Sequence, residues 1–404
     1  MAVKLLYKPA LCSTCLLPLL LLPQLAQADE QDTFNLAAGA GIRFEDNLFR
    51  LSDAVDTDSL QGKPHRSDML YTANAGFKID KAYSQQRFKV DVMATDNRFQ
   101  NNSFLDYTGL NYSAAWLWHL TPRISGVLLA SQEQSLINFA DFRNFEGKNV
   151  QTSEVKVFSI DGDLGAGWHA IGGLLDVRAR NSQNFTAVGD YTQQGVELGG
   201  KYVSRAENWV SLVRRESNGE YRGRVINPVT QLDSGFKQSD TEAKLYWKLT
   251  GKSTLDGKLG YVDRRHDNFS QRDYSGMVGK LEYTWEPTGK IDIKTSVSRN
   301  LYSFQQDANS YYVADTFSIG PVWAITAKTK VWARYDLSSR DYRGAIIQTT
   351  ERRDTVQGFV VGGEWKPLRT VTVGGALQRD TRASNFGGLD YEANAASIYA
   401  QLLF

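Results

Sequence analysis

Beyond its first thirty or so residues the chain repeats with a period of two. Leu110, Tyr112, Ala114, Trp116 and Trp118 alternate with Gly109, Asn111, Ser113, Ala115 and His119. Ala243, Leu245, Trp247 and Leu249 alternate with Glu242, Lys244, Tyr246 and Lys248, and Ile291, Ile293, Thr295 and Val297 with Asp292, Lys294, Ser296 and Ser298. Successive strand side chains point to opposite faces, so each run has one apolar and one polar face. The fold class is all-β. A soluble sandwich would alternate in the same way, but its strands are usually about 5 or 6 residues. These runs are roughly 10 to 13 residues, the length of a tilted membrane strand.

Short and long connections take turns along the chain. The short ones carry turn residues: Asp80 to Ser84, Thr121-Pro122-Arg123, Ser204 to Asn208, Thr250-Gly251-Lys252, Pro287 to Lys290, Ala324 to Lys328 and Lys366 to Arg369, with a further turn near Gly165 to Gly167. The long ones are polar: Glu45 to Asp68, Gln134 to Gln151, Arg222 to Lys237, His266 to Arg272 and Arg343 to Arg353. Short turns at one rim and long loops at the other are the pattern of an outer-membrane barrel. Tryptophans mark the short-turn rim. Trp116, Trp118, Trp247, Trp285, Trp323 and Trp365 precede a tight turn, and Trp168 and Trp209 follow one. Amphipathic rings favour the headgroup level, so these eight read as one aromatic girdle. The turns recur about every 40 residues, a spacing close to a propeller blade. A blade holds four short strands, whereas each unit here holds two long ones. Eight turns join sixteen strands; a first strand near Phe34 to Phe44 and a last near Tyr391 to Leu403 give a transmembrane antiparallel up-and-down β-barrel of about 18 strands, with 16 as the alternative.

The N-terminus fits delivery to that membrane. Lys4 and Lys8 precede an apolar run from Leu16 to Leu22, and Ala26-Gln27-Ala28 has the small-x-small form of a cleavage site. Residues 1–28 are expected to be a signal peptide and 29–404 the barrel. The apolar run is too short for a membrane helix, which needs about 20 residues. Thr14 before Cys15 argues against a lipoprotein. Cys12 and Cys15, the chain's two cysteines, lie in the signal, so the mature chain is expected to hold no disulfide or thiolate metal site. At the other end Ala396, Ile398, Ala400, Leu402 and Phe404 share one strand face. A terminal phenylalanine on such a strand resembles the signal read by the barrel-insertion machinery, an expected partner alongside outer-membrane lipid.

Charge and motifs narrow the function. With 46 basic against 45 acidic residues there is no excess to attract nucleic acid. His65, His119, His169 and His266 are scattered, and HExxH, GxSxG and phosphate-binding glycine loops are absent from the sequence. No enzyme and no cofactor is expected. The lumen face is more informative. If Val331, Ala333, Tyr335 and Leu337 face lipid, then Lys330, Trp332, Arg334, Asp336 and Arg340 face inward. The same rule sends inward Asp176, Arg178 and Arg180; Glu242, Lys244, Tyr246 and Lys248; and Lys280 with Glu282. Such charges can be a wet wall of mutual ion pairs. They can also be a carbohydrate track, since sugars stack on aromatic faces and hydrogen-bond to Arg and Asp. Trp332, Arg334, Asp336, Arg340, Arg178, Arg180, Tyr246 and Lys244 are the candidate contacts. A slip of one residue in phase would invert every such assignment. With the first strand starting a few residues after the expected cleavage site, no plug domain is expected, and no clear constriction loop is legible.

Four segments resemble a known family: Asp32 to Leu51 (DTFNLAAGAGIRFEDNLFRL), Leu105 to Gly126 (LDYTGLNYSAAWLWHLTPRISG), Asn138 to Asn144 (NFADFRN) and Asp190 to Val203 (DYTQQGVELGGKYV). They are similar to the EpsL-type outer-membrane proteins of exopolysaccharide biosynthesis systems, the group associated with an exosortase B. The resemblance covers most of the mature chain and carries no catalytic residue. It implies a barrel that exports or assembles an extracellular polysaccharide together with periplasmic synthesis and export proteins. A general diffusion porin or small-solute channel is the alternative, and a structural surface barrel a third reading.

Overall fold

The computed structural model describes residues 33–404 apart from 58–59, 61–63, 143–146, 184–188, 306–308 and 345–350. The signal segment 1–28 lies outside the described residues. The strands are β1 (Phe34–Glu45), β2 (Asp68–Tyr83), β3 (Gln86–Phe99), β4 (Tyr107–Thr121), β5 (Ile124–Leu136), β6 (Val150–Gly165), β7 (Trp168–Asn181), β8 (Asp190–Val203), β9 (Trp209–Arg222), β10 (Gly235–Thr250), β11 (Ser253–His266), β12 (Tyr274–Thr288), β13 (Ile291–Ser303), β14 (Tyr311–Ala324), β15 (Thr329–Arg343), β16 (Arg353–Leu368), β17 (Val371–Ser384) and β18 (Tyr391–Leu403). They form one 18-stranded sheet, each strand antiparallel to its sequence neighbours. The sheet closes on itself where β1 meets β18, from Ala37↔Leu403 to Glu45↔Ala395. Closure satisfies the backbone groups that an open edge would leave bare in lipid.

The even count and the short-turn rim follow the sequence closely. At Gly165 and Gly167 positive φ values of 94° and 85° explain why glycine is used there. The first turn sits further along than expected. Asp80 does not open it; it stays in the ladder and takes a bidentate bond from Arg87 at 2.7 and 2.9 Å. The chain reverses at Ser84 and Gln85 instead, with Ser84 at φ 53°. Shorter outer connections at 100–106, 182–189, 304–310 and 385–390 join the five long ones read from the sequence.

The lipid-facing belt is read directly from exposed large apolar side chains. Leu36, Leu128, Leu174, Leu212, Leu281, Phe359 and Ile398 all point outward. Six tryptophans near the short-turn rim are exposed with them: Trp116, Trp168, Trp247, Trp285, Trp323 and Trp365. Trp118 shares Trp116's face and stacks on Phe158 at 6.0 Å. Trp209 does not belong to the girdle. It is out of phase with exposed Val210 and Leu212, faces the lumen and stacks on Tyr246, 6.4 Å between centroids.

Polarity turns over in the outer half of the wall. On β5 to β8, Gln132, Lys156, Glu154, Asp176, Arg178 and Gln194 share the outward face with Leu128, Phe158 and Leu174. The inward residues at that height, Val155, Val157, Val177 and Ala179, are 2–5% exposed. Strands of 14 to 16 residues exceed the roughly 9–11 needed to span. The excess stands outside the hydrocarbon, where its exterior meets water and its interior becomes core. Arg178 and Arg180 therefore face outward, with Asp176, against the sequence expectation. From Phe158 to Thr152 and from Leu174 to Arg180 the register is unbroken; what changes is which face is wet.

Candidate functional site

The inner wall below that level is lined with charge, and nearly every charge has an opposite neighbour. Lys78 pairs with Asp91 at 3.0 Å, Lys244 with Glu242 at 3.1 Å, Lys280 with Glu282 at 2.7 Å, Lys330 with Glu364 at 2.9 Å and Arg334 with Asp336 at 2.8 Å. Arg215 binds Glu197, and Lys201 and His169 both hold Asp161. Partly exposed pairs of this kind contribute about 0–1 kcal/mol each. Their main effect is on the lumen: a wall of alternating sign stays hydrated without a strong net field.

Six of the eight candidate contacts lie on this inner face, in two places. Trp332, Arg334, Asp336 and Arg340 follow one another up β15. Lys244 and Tyr246 lie on β10, five strands away. Trp332 lies flat over Gly362 of β16, its ring 2.5 Å from where a Cβ would stand. The missing side chain makes room for the indole. Arg178 and Arg180 are on the outside of the barrel and line no lumen surface.

Arg340 has a different task from the rest of its strand. Residues 137–142, which follow β5, fold into the barrel mouth. There Asp141 accepts from Arg340 Nη1 at 3.0 Å and lies 3.5 Å from Arg382 Nη1. Arg382 also donates to the Ala140 carbonyl at 2.6 Å. These three side chains are 0–4% exposed. Apolar residues seat the same loop: Phe139 meets Phe49 edge-on at 4.8 Å, and Phe142 stacks on Phe304 at 5.8 Å. An inward loop is thus present, contrary to the sequence reading. Its signal was the composition of Ile137, Phe139, Ala140 and Phe142, too apolar for a loop lying in water.

Other outer loops lock around it. In the loop 46–67, Arg50 bridges Glu45 and Asp380, the latter at 3.3 Å. Burial disfavours the Arg50 charge, but these two carboxylates outweigh it and raise its pKa. Arg272 fills the gap between two further loops, donating to the carbonyls of Thr230 and Asn309, both at 2.6 Å. Burial, helped by nearby Arg224, pushes it down to about 10. Asp233 accepts from the backbone N–H groups of Asn268 and Phe269 at 2.6 and 2.9 Å. Burial raises its pKa, yet these bonds and those from the Asn268 side chain and Ser234 win, and it lies below the usual carboxylate value.

Residues 234–402, which are β10 to β18, match a family model described as "Putative beta-barrel porin 2". No curated protein sequence matches the chain. Among solved structures, OpdK of Pseudomonas aeruginosa with vanillate aligns over 92% of this chain and 99% of its own at 11% identity and TM-score 0.50. OccK3 (OpdO) of the same organism aligns over 92% and 96% at 13% identity and TM-score 0.50. OccAB3 of Acinetobacter baumannii aligns over 92% and 98% at 11% identity and TM-score 0.50. At such identities the likeness is one of fold. With its closed sheet, lipid-facing belt and tryptophan rim, the chain is a porin-like β-barrel of the bacterial outer membrane.

Proposed function

We propose that this barrel is a diffusion channel for small solutes, narrowed at its outer mouth by residues 137–142. The observation that carries this reading is the buried clasp of Asp141 with Arg340 and Arg382, which pins the loop across an ion-paired lumen. Breaking a buried pair by removing one partner costs about 3–5 kcal/mol, so the constriction is a fixed part of the resting structure. Small hydrated solutes suit such an opening. The likeness of residues 234–402 to a porin family model supports the same reading.

Polysaccharide export is the second reading. The resemblance to EpsL-type proteins favours it, as does the flat Trp332 ring beside Arg334 and Asp336 on the inner wall. A polymer, however, needs the clasp opened. In either reading residues 1–28 serve as the export signal and Phe404 addresses the insertion machinery. Liposome swelling with sugars of increasing size tests the first reading, which expects uptake to fall sharply beyond disaccharides. Loss of surface polysaccharide on gene deletion, with no swelling for any sugar, would establish the second instead.

A further inference from the structure

The short-turn rim carries a repeat that the channel reading leaves unused. The sequences WKLTGK at 247–252, WEPTGK at 285–290 and WAITAK at 323–328 close three successive hairpins, and WHLTPR at 118–123 closes an earlier one. In all four the threonine hydroxyl accepts from the backbone N–H of the final cation, at 3.1–3.2 Å. In the first three the lysine then crosses to the next hairpin. Lys252 Nζ donates to the Pro287 carbonyl at 3.2 Å, Lys290 Nζ to Ile325 at 3.4 Å and Lys328 Nζ to Pro367 at 3.2 Å. An ammonium has three donors, so each is positioned by this bond and keeps capacity for a further partner. All three lysines are exposed. The tryptophan that opens each repeat is 43–52% exposed on the lipid face, which puts the rim at headgroup level. The carboxylates next to the middle lysine in sequence, Glu286 and Asp292, alternate with Trp285 and Ile293 onto the lumen side.

We infer that Lys252, Lys290 and Lys328 bind the phosphates of anionic phospholipids in the leaflet on the short-turn side, one headgroup at each turn. The lipid-facing neighbours Leu249, Tyr283, Pro287 and Ile291 offer no carboxylate, so the counter-charge has to come from the membrane. Successive hairpins stand two strands, about 10 Å, apart, which makes the sites separate rather than one shared pocket. The ammonium gives protons to the phosphate while the indole packs on the lipid below it. A zwitterionic headgroup brings its own cation and gains less. The inference goes beyond the channel reading and does not depend on conduction.

The test places the purified barrel in phosphatidylcholine vesicles containing brominated phosphatidylglycerol, with brominated phosphatidylcholine as the reference. Quenching of tryptophan fluorescence reports the relative association of the two lipids with the rim. Phosphatidylglycerol should be favoured about fivefold by the native barrel. That preference should fall towards parity at about 1 M salt, where the screening length is about 3 Å. The triple variant Lys252→Gln, Lys290→Gln, Lys328→Gln should lose most of it. The matching triple arginine variant should keep it, which separates charge from turn structure. Heat-modifiable gel migration verifies folding, and the salt series on the native barrel decides if the glutamine variant misfolds. No preference in the native barrel, or one that high salt leaves intact, overturns the inference and leaves the row to an acidic protein partner. A preference unchanged in the folded glutamine variant, or lost in the folded arginine variant, overturns it equally.

Discussion

At the scale of single residues, environment decides what a charge is for. Arg334 and Arg340 are six residues apart on one face of β15, yet one is an ordinary member of a wet wall and the other locks a loop. The sequence shows the shared face but not the partner, because Asp141 is 199 positions away from Arg340. Arg178 and Arg180 show the opposite failure. Alternation was read correctly, but polar was equated with inward, which holds only at membrane depth. Replacing both with Gln should therefore leave ion selectivity unchanged, whereas Lys244→Glu should shift it towards cations; reversal potentials across a salt gradient decide between them. Gly362→Val tests the wall itself. A side chain there collides with the Trp332 ring, so overpacking should cost about 1–3 kcal/mol and displace the indole. Altered near-ultraviolet circular dichroism with a retained barrel is the expected result.

At the scale of elements, the strands were legible and the loops were not. Period two, turn residues and tryptophans fix strands, rim and count, since each is a local property of the chain. Trp209 is the exception, because its neighbour Val210 rather than the indole holds the lipid face. Loop structure depends on distant carboxylates and arginines that leave no periodic trace. The loops 223–234 and 267–273 offer a pH test through Asp233, whose folded pKa lies below its unfolded value of about 3.9. Its contribution is fully present above that unfolded value and is lost as pH falls through the lower folded one. Protection of the Asn268 and Phe269 amides, taken against the intrinsic exchange rate at each pH, should be high at about pH 5 and fall at about pH 2, while the strands remain protected. Equal protection at both would remove Asp233 as the tie.

For the whole molecule, a tall barrel with an inverted outer half explains two facts together. The wall is longer than the bilayer is thick, and the loops have an apolar lining to fold against. The same arrangement puts the constriction above the hydrocarbon and leaves the ion-paired lumen below it as the conducting part. This reading expects cleavage after Ala28, so N-terminal sequencing of the mature barrel should begin at Asp29. The most direct test of the central claim is single-channel conductance in planar bilayers for the native barrel and Asp141→Ala. A channel held narrow by that clasp predicts small, stable steps for the native protein and larger, noisier steps once the loop is released. Equal conductance in the two folded proteins would contradict it, and so would no conductance in either.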